Sequence, residues 1–310
     1  MKKRKTKALA LFSGGLDSIL AVKILEKQGI FAQGLNFKSP FFNFNQSVQA
    51  ARENNIKLKT VDFFNEHLQV VKMPKYGHGK NLNPCIDCHL LMLKKAKQIM
   101  QKEKFDLVAT GEVLGQRPMS QNKRVLQLIA KESGLESRLI RPLSAKLLKP
   151  TDPEIKGLID REKLFSIEGR SRKKQIALAR KWNIKKYPSP AGGCLLTDQE
   201  FSQKLKKLFE KAENLNKNDL ELLKIGRHFW QNQDKIIIGR NQEENKKLNQ
   251  LKQKKDIIIG MENYTGPTAL VRSYRQKICI PTKKRAKELV QKHSPKARGK
   301  KDVKFIDFSY

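Results

Sequence analysis

The stretch Ser-Gly-Gly-Leu-Asp-Ser at residues 13–18 decides the fold that we predict. An apolar run at residues 8–12 precedes it and an apolar, helix-like segment at residues 19–25 follows it, so the order is strand, glycine turn, helix. The two glycines let the backbone approach a ligand closely and adopt positive φ. Because the first N–H groups of a helix lack partners within the helix, they favour an anion such as phosphate. The stretch therefore predicts a phosphate site, with Asp17 placed to carry a metal ion.

An ordinary strand–helix turn capped by Ser or Asp has the same composition and stays an alternative. A Walker loop is excluded because its Gly-Lys-Ser/Thr ending is absent. The full string resembles the pyrophosphate loop (PP-loop) of the N-type ATP pyrophosphatases, which adenylylate a carbonyl or carboxyl group and release pyrophosphate. This resemblance implies that ATP binds with Mg²⁺ on Ser13, Gly14, Gly15, Asp17 and Ser18.

The size and hydropathy of the chain predict a globular protein of two domains. The sequence has 310 residues, of which 38% are hydrophobic. No stretch reaches the roughly 20 apolar residues that span a bilayer, and the basic N-terminus is followed by only a short apolar run. We therefore expect no membrane association, no signal peptide and a cytoplasmic location.

The charge indicates a polyanionic partner. Lys and Arg number 65 against 30 Asp and Glu, a formal net charge of +35. Such an imbalance favours nucleic acid, bound largely through counterion release. A lysine-rich proteome is the alternative, but it usually adds Glu together with Lys.

The first half of the chain alternates strand and helix patterns. We predict strands at residues 30–37, 57–63 and 106–109, and helices at residues 46–55 and 90–101. This alternation predicts an α/β fold with a doubly wound parallel sheet. Ligands bind at the carboxyl ends of such strands, where the glycine turn, Asn36 and Phe37 lie. We expect an irregular loop over residues 65–83 because of its Gly and Pro residues.

Three cysteines suggest chemistry rather than disulfide bonds. Cys85 and Cys88 form a Cys-x-x-Cys at a helix start, where the helix dipole is expected to lower the thiol pKa. Cys194 follows a loop at residues 187–193 that is rich in Pro and Gly, and we expect it to be exposed. A zinc site would need a second Cys/His pair, and two buried structural cysteines remain the plain alternative. We expect His89 to point away from the two thiols and Cys279 to pack in a core.

A narrower resemblance comes from residues 110–143. Thr-Gly-Glu at 110–112, Leu-Gly-Gln at 114–116, Ser-Gln at 120–121 and Arg-Pro-Leu at 141–143 together resemble the tRNA 4-thiouridine synthetases. The resemblance implies a PP-loop/HUP-like fold in which Gly111 and Gln121 contact ATP. We expect the adenine to lie near Asn36, Phe37 and Gly111.

The cysteine pattern is similar to that of thiouridine synthetases without a rhodanese domain. In that group, a Cys-x-x-Cys and one distant Cys are thought to hold an iron–sulfur cluster. The resemblance implies a [4Fe-4S] cluster on Cys85, Cys88 and Cys194, with one iron open for sulfide. The competing chemistry uses Cys194 as a persulfide carrier that another cysteine resolves. Either way, sulfur is expected to come from free sulfide or a separate donor such as a cysteine desulfurase.

The last third of the chain is a separate basic region. Gly-Arg-His at 226–228 and Ile-Gly-Arg-Asn at 238–241 resemble the NFACT RNA-binding domain. The resemblance implies contacts from Arg227, His228, Arg240 and Asn241 to phosphate or sugar. The 4-thiouridine synthetases usually carry an RNA-binding module before the PP-loop, and we expect this basic region to replace it.

We therefore predict a PP-loop sulfurtransferase domain over residues 1–198 and a smaller, basic α+β RNA-binding domain over residues 199–310. The predicted activity is adenylylation of a uridine carbonyl of tRNA and replacement of its oxygen by sulfur, with 4-thiouridine favoured. The predicted catalytic residues are Asp17, Cys85, Cys88 and Cys194. The alternatives are 2-thiouridine synthesis at the anticodon, a small-molecule adenylylating enzyme and a non-catalytic RNA-binding factor with a nucleotide pocket. The predicted function is compatible with a homodimer.

Overall fold

The computed structural model describes residues 4–188, 194–275 and 277–308, so most of the predicted loop before Cys194 lies outside the described residues. The chain forms two compact units, Met1–Thr197 and Asp198–Tyr310. The strands of the first unit are β1 Lys7–Leu11, β2 Phe31–Lys38, β3 Leu58–Asp62, β4 Leu107–Ala109 and β5 Leu139–Ile140. Its helices are α1 Leu16–Glu26, α2 Phe44–Glu53, α3 Phe64–Lys72, α4 Cys85–Lys102, α5 Lys123–Glu132, α6 Asp152–Ile155 and α7 Lys173–Lys181.

The five strands of the first unit form one parallel sheet in the order β3-β2-β1-β4-β5. Ala8 of β1 pairs with Ala32 on one side and with Leu107 on the other. Apolar residues of α1, α2 and α7 pack on one face of the sheet, and those of α4 and α5 pack on the other. The predicted doubly wound α/β fold is confirmed, and the carboxyl ends of β1, β2 and β4 meet at one edge.

Helix α3 corrects the prediction of an irregular loop over residues 65–83. The residues Phe64, His67, Leu68 and Val71 are buried, and this spacing places them on one face of a helix. The glycines and prolines that suggested a loop all lie beyond the end of α3, so they shape only the segment at residues 73–84.

The second unit contains an antiparallel sheet in the order β10-β8-β9-β7-β6. Its strands are β6 Arg227–Gln231, β7 Asp234–Ile238, β8 Ile257–Met261, β9 Ala269–Ser273 and β10 Phe305–Phe308, and its helices are α8 Gln199–Lys211, α9 Lys217–Leu222, α10 Gln242–Leu251 and α11 Ile280–Lys292. Residues of α11 pack on one face of this sheet, while residues of α9 and α10 pack on the other. The predicted second α+β domain is confirmed.

Cys279 corrects a further expectation. It is exposed and is the residue at which α11 is capped, so it does not pack in a core. Among the described helices, none is long and apolar enough to cross a membrane.

Candidate functional site

The glycine turn is held tightly between β1 and α1. Gly14 has φ +81°, and a Cβ at this position would lie 2.7 Å from the Cα of Ser47 on α2. A Cβ at Gly111, after β4, would lie 2.6 Å from the backbone of Asp17 and Ser18. Both glycines are therefore required by close packing, and Gly111 brings the end of β4 against the first turn of α1.

Asp17 is only half satisfied by its neighbours. Its Oδ2 accepts a hydrogen bond of 3.0 Å from Nε2 of Gln116, whereas its Oδ1 is buried without a hydrogen-bond partner among the described residues. The other side-chain atom of Gln116, Oε1, is likewise buried and unpartnered. The sequence places Gln116 among the polar residues at this edge of the sheet. Its contact with Asp17 was not predicted, because no local pattern links it to a carboxylate 99 residues away.

Two further oxygens at this edge lack partners. Asn36 donates through Nδ2 to the carbonyl of Phe12 at 2.9 Å, which leaves its buried Oδ1 unpartnered in the described part of the chain. The backbone carbonyl of Gln121 accepts from the Gly115 N–H at 2.7 Å. The side-chain Oε1 of Gln121 is also buried and has no hydrogen-bond partner among the described residues. We call residues 13–18 together with Asn36, Gly111, Gln116 and Gln121 the glycine-loop edge.

The remaining predicted residues of this edge differ in what they present. The Ser18 hydroxyl donates to the carbonyl of Gly15 at 2.8 Å. The Ser13 hydroxyl lies 3.4 Å from the Ser18 hydroxyl. The ring of Phe37 packs in the core, 4.9 Å from the ring of Phe63. Phe37 therefore offers the edge its backbone, because its side chain lies on the opposite face from Asn36.

Four buried oxygens without donors indicate a ligand. An unsatisfied buried acceptor costs on the order of 1–3 kcal/mol, so a group of them is retained where a bound molecule supplies the missing partner. The free carboxylate oxygen of Asp17 is the hard oxygen donor that Mg²⁺ prefers, and it sits where a helix N-terminus meets a glycine turn. The residues present therefore fit a phosphate-bearing ligand with its cation.

The three predicted cysteines lie near one another in the first unit. Cys85 accepts a hydrogen bond from Nδ2 of Asn83 at 3.0 Å, and Cys194 donates to the carbonyl of Phe41 at 3.6 Å. Burial, followed by the charges of Cys194 and Cys85, raises the pKa of the Cys88 thiol. Burial and the charge of Cys85 raise the pKa of Cys194 to about 11. We call these three residues the cysteine centre.

At Cys88, this pKa direction is opposite to the lowering expected from the helix start. Burial outweighs the helix dipole at Cys88, and Cys194 is half-buried rather than exposed. Three thiols suit an iron–sulfur cluster in kind. Yet in residues 4–188, 194–275 and 277–308 no group of three or more His, Cys or acidic side chains is arranged to hold a metal ion. The cluster therefore stays a prediction.

His67 of α3 belongs to this centre, and the sequence analysis missed it. Its Nε2 lies 2.9 Å from the Cys88 sulfur and its Nδ1 lies 2.9 Å from the hydroxyl of Ser39. The ring stacks on Phe63 at 4.7 Å, and burial lowers the pKa of His67 to about 4, so the imidazole is neutral at pH 7. The spacing of residues 64, 67, 68 and 71 could have indicated this role. It places His67 on the buried face of a helix, where an imidazole needs a polar partner.

Glu112 connects the glycine-loop edge to the helix of the cysteine centre. Its carboxylate accepts hydrogen bonds from Arg141 at 2.9 Å, from Thr110 at 2.9 Å and from His89 at 2.8 Å. Although burial alone would raise the pKa of Glu112, Arg141 and His89 hold it well below its usual range. His89 therefore ties the start of α4 to the end of β4, beside Gly111.

A second link runs through the loop after β4. Arg117 is close enough to Cys194 for its charge to lower the pKa of that thiol, against the larger effect of burial. Arg117 follows Gln116 directly, so the loop that carries Gln116 and Gln121 reaches both the glycine-loop edge and the cysteine centre.

In the second unit, three of the four residues predicted to contact RNA have partners within the unit. Arg240 pairs with Glu244 through Nη2 at 2.5 Å, and the side chain of Asn241 caps α10. His228 donates to the carbonyl of Ile225 at 2.8 Å, and burial lowers its pKa to about 2. Arg227 is exposed. Their contact with RNA stays a prediction.

Comparison with protein families finds two matches. Residues 4–146 match the thiamine biosynthesis protein (ThiI) family, and residues 226–305 match the NFACT protein RNA binding domain. A probable tRNA sulfurtransferase of Finegoldia magna is 30% identical over 143 residues, 45% of this chain and 36% of that protein. A probable tRNA sulfurtransferase of a Thermoanaerobacter species is 27% identical over 148 residues, 44% of this chain and again 36% of that protein. The chain thus spans about a third of the length of these curated relatives.

Among solved structures, three similar chains are distant. A 4-thiouridine synthetase in complex with RNA and ATP is 23% identical, with TM-score 0.37, 70% of this chain covered and 52% of that one. The U34-tRNA thiolase NcsA of Methanococcus maripaludis, solved with its [4Fe-4S] cluster, is 17% identical, with TM-score 0.33 and coverages of 71% and 70%. A predicted tRNA methyltransferase subunit of Methanocaldococcus jannaschii is 16% identical, with TM-score 0.39 and coverages of 66% and 87%.

The family matches fall on the same two regions that the sequence motifs singled out. They therefore confirm the resemblance: residues 4–146 are similar to the ThiI family, and residues 226–305 are similar to the NFACT protein RNA binding domain.

Proposed function

We propose that this protein uses ATP to replace a uridine oxygen of tRNA with sulfur. The carrying observation is the set of four unpartnered buried oxygens at the glycine-loop edge, joined through Glu112 and the Gln116 loop to three cysteines. In this proposal residues 1–198 perform the chemistry and residues 199–310 hold the RNA. The ThiI and NFACT matches support the assignment of these roles.

ATP binds at the glycine-loop edge. Its phosphates lie on the loop at residues 13–18, where backbone N–H groups of α1 face an anion. Asp17 would hold Mg²⁺ through the free Oδ1, and the ion would neutralise charge on the leaving pyrophosphate. The adenine lies near Asn36 and Gly111, where an amide oxygen is free to accept from an exocyclic amine.

The first step activates the base. A uracil carbonyl oxygen attacks the α-phosphorus of ATP, a new O–P bond forms, and the bond from that phosphorus to the bridging oxygen breaks. Pyrophosphate leaves with that electron pair, while the loop amides stabilise its charge. The uridine is then linked to AMP through its former carbonyl oxygen.

The second step transfers sulfur. Sulfide attacks the activated carbon, the carbon–oxygen bond breaks, and AMP leaves with the oxygen. Loss of a proton then yields the C=S group, with no change in the oxidation state of sulfur. The cysteine centre holds the sulfur for this attack, and the cluster implied by the resemblance would be held by the same three thiols.

The proposed product is 4-thiouridine, formed at the 4-carbonyl of a uridine. The second candidate is 2-thiouridine at the anticodon. The sulfur donor is free sulfide or a cysteine desulfurase, and the reaction takes place in the cytoplasm.

The test is tRNA thiolation by Cys194→Ser, with Cys279→Ser as the matched control. Protein purified without oxygen is incubated with bulk tRNA, ATP and sulfide, and both pyrophosphate and thiolated nucleosides are measured. Cys194→Ser should lose sulfur incorporation and keep pyrophosphate release, because Cys194 lies outside the glycine-loop edge. Cys279, exposed in the other unit, should be dispensable for both.

Full thiolation by Cys194→Ser would overturn the role of the cysteine centre. Absence of both pyrophosphate release and thiolation in the unmodified protein would overturn the proposed function. The visible spectrum and iron content of the same preparation test the cluster, and nucleoside analysis identifies the base.

A further inference from the structure

A polar groove of about 820 Å³ opens in the second unit, away from the residues that the RNA-binding motifs singled out. It lies between the start of α9, the loop after α10 and the end of β9. Arg227 pairs with Ile238 at one end of the β6–β7 hairpin, while the groove lies at the other end, where Trp230 pairs with Lys235. The two candidate faces are therefore distinct.

The inner wall of the groove is fixed by a buried ion-pair network. Arg272 donates to Asp256 at 2.6 Å and to Asp219 at 2.7 Å, and all three side chains are almost fully buried. The hydroxyl of Tyr274 also donates to Asp219, at 2.9 Å. Because both carboxylates are paired, they do not oppose an anion as free charges would, and the Tyr274 ring is held in place.

An aromatic pair adjoins this wall. The rings of Trp230 and Tyr274 lie 5.7 Å apart with an interplanar angle of 34°. Trp230 is half-buried, and the ammonium group of Lys235 lies 5.5 Å from its ring centroid. Lys235 is fully buried and its Nζ has no hydrogen-bond partner among the described residues. Burying an unpaired amine is costly, and the ring of Trp230 offsets part of that cost through its cation–π contact.

The rim of the groove carries exposed cations and amides. Lys254 and Lys255 lie side by side in the loop after α10, and Arg275 lies at the end of β9. Cations outnumber acidic groups in the lining, five against three, and two of the three acids are those paired to Arg272. Gln253 supplies an exposed amide of the type that binds base edges. The amide oxygen of Gln233 already accepts from Arg275 at 2.6 Å, and that of Asn216 accepts from the Asp219 N–H at 3.1 Å.

We propose that this groove binds a single-stranded segment of RNA, with a base stacked at Tyr274, whose ring contacts Trp230 outside the groove lining, and with phosphates on Lys254, Lys255 and Arg275. Aromatic rings beside cations and amides are what recognition of unpaired RNA requires. The inference rests on the proposed function in taking tRNA as the partner, and it adds where the RNA lies.

The test compares two charge reversals in the full chain. Lys254→Glu/Lys255→Glu removes the rim cations, and Lys300→Glu/Lys301→Glu makes the same change at an adjacent, exposed pair outside the groove. Binding of tRNA is measured by titration at several salt concentrations. The groove variant should bind about tenfold or more weakly with a salt slope lower by about two, and the control variant should stay within about threefold.

Fluorescence tests the stacking separately. Trp182 and Trp230 are the two tryptophans of the sequence, so Trp182→Phe leaves Trp230 as the reporter. An unstructured oligonucleotide should quench Trp230 in this protein, and a duplex of equal length should quench it much less.

Equal losses in the two charge-reversal variants, or RNA binding without quenching of Trp230, would overturn the groove as the RNA site. Failure of the proposed function gives a different pattern: RNA would bind in the groove and quench Trp230, but the protein would not thiolate it.

Discussion

The glycine-loop edge and the Arg272 network differ in whether their buried carboxylate oxygens have hydrogen-bond partners. At the glycine-loop edge, Asp17 keeps one carboxylate oxygen buried without a partner. In the second unit, Asp219 and Asp256 both accept hydrogen bonds from Arg272, and Asp219 also accepts one from Tyr274. A buried oxygen left unpaired lowers stability, whereas a fully paired network does not. The first region therefore leaves acceptors free for a ligand, whereas the second satisfies its own charges and so fixes the wall of the groove.

Asp17→Asn should have the largest effect on activity. The variant keeps the shape of the side chain and removes the charge that faces Mg²⁺ and pyrophosphate. We expect pyrophosphate release to fall by about 10³-fold, the upper range for loss of one electrostatic contact to a developing charge. The melting temperature should change little, because the free Oδ1 contributes no hydrogen bond to the fold.

The matched control is Asp219→Asn, which makes the same chemical change inside the paired network. It should lower the melting temperature. At saturating tRNA, pyrophosphate release by the folded protein should fall far less than in Asp17→Asn, because Asp219 does not face ATP. If Asp17→Asn destabilised the protein as much as Asp219→Asn, the contrast between the two regions would be wrong.

Glu112→Gln should have the next largest effect, this time on stability. Arg141 is almost fully buried, and loss of the Glu112 charge leaves its guanidinium without a counter-ion. Removing one partner of a buried ion pair costs about 3 kcal/mol or more. Urea unfolding followed by circular dichroism measures this loss as a lower midpoint.

His89→Asn tests the second contact of the Glu112 carboxylate, the hydrogen bond from His89, separately from the ion pair with Arg141. His89 is partly exposed, so the variant removes only the contact to α4 and should cost no more than about 1 kcal/mol. It should still lower sulfur incorporation relative to pyrophosphate release, since α4 carries Cys85 and Cys88. Equal midpoints for the two variants would show that Glu112 is not the centre of this network.

The sequence predicted those parts of the fold and site that depend on near neighbours along the chain. The strand–turn–helix at residues 7–26 follows from local hydropathy and two glycines, and the parallel sheet follows from the alternation of strands and helices. Helix α3 was missed because the glycines and prolines after it were given more weight than the 64/67/68/71 spacing.

Contacts between distant residues were not predictable in the same way. Gln116 meets Asp17 across 99 residues and His67 meets Cys88 across 21, and no local pattern encodes either pair. Burial acts similarly, because the pKa of Cys88 depends on what the fold places around it rather than on its position at a helix start. A motif indicates which residues take part, and packing decides what each of them is free to do.

Arg240→Gln should have the smallest effect, and it sharpens the comparison in the second unit. The motif at residues 238–241 predicts that Arg240 contacts RNA, but its guanidinium is engaged by Glu244. Arg240 is half exposed, and the buried Glu244 keeps hydrogen bonds from two backbone N–H groups, those of Gly226 and residue 240, so the loss of the pair should cost at most about 1 kcal/mol. We expect tRNA affinity to change by less than about twofold in the titration used for the groove variants. A loss as large as that of Lys254→Glu/Lys255→Glu would return the RNA site to the motif and take it from the groove.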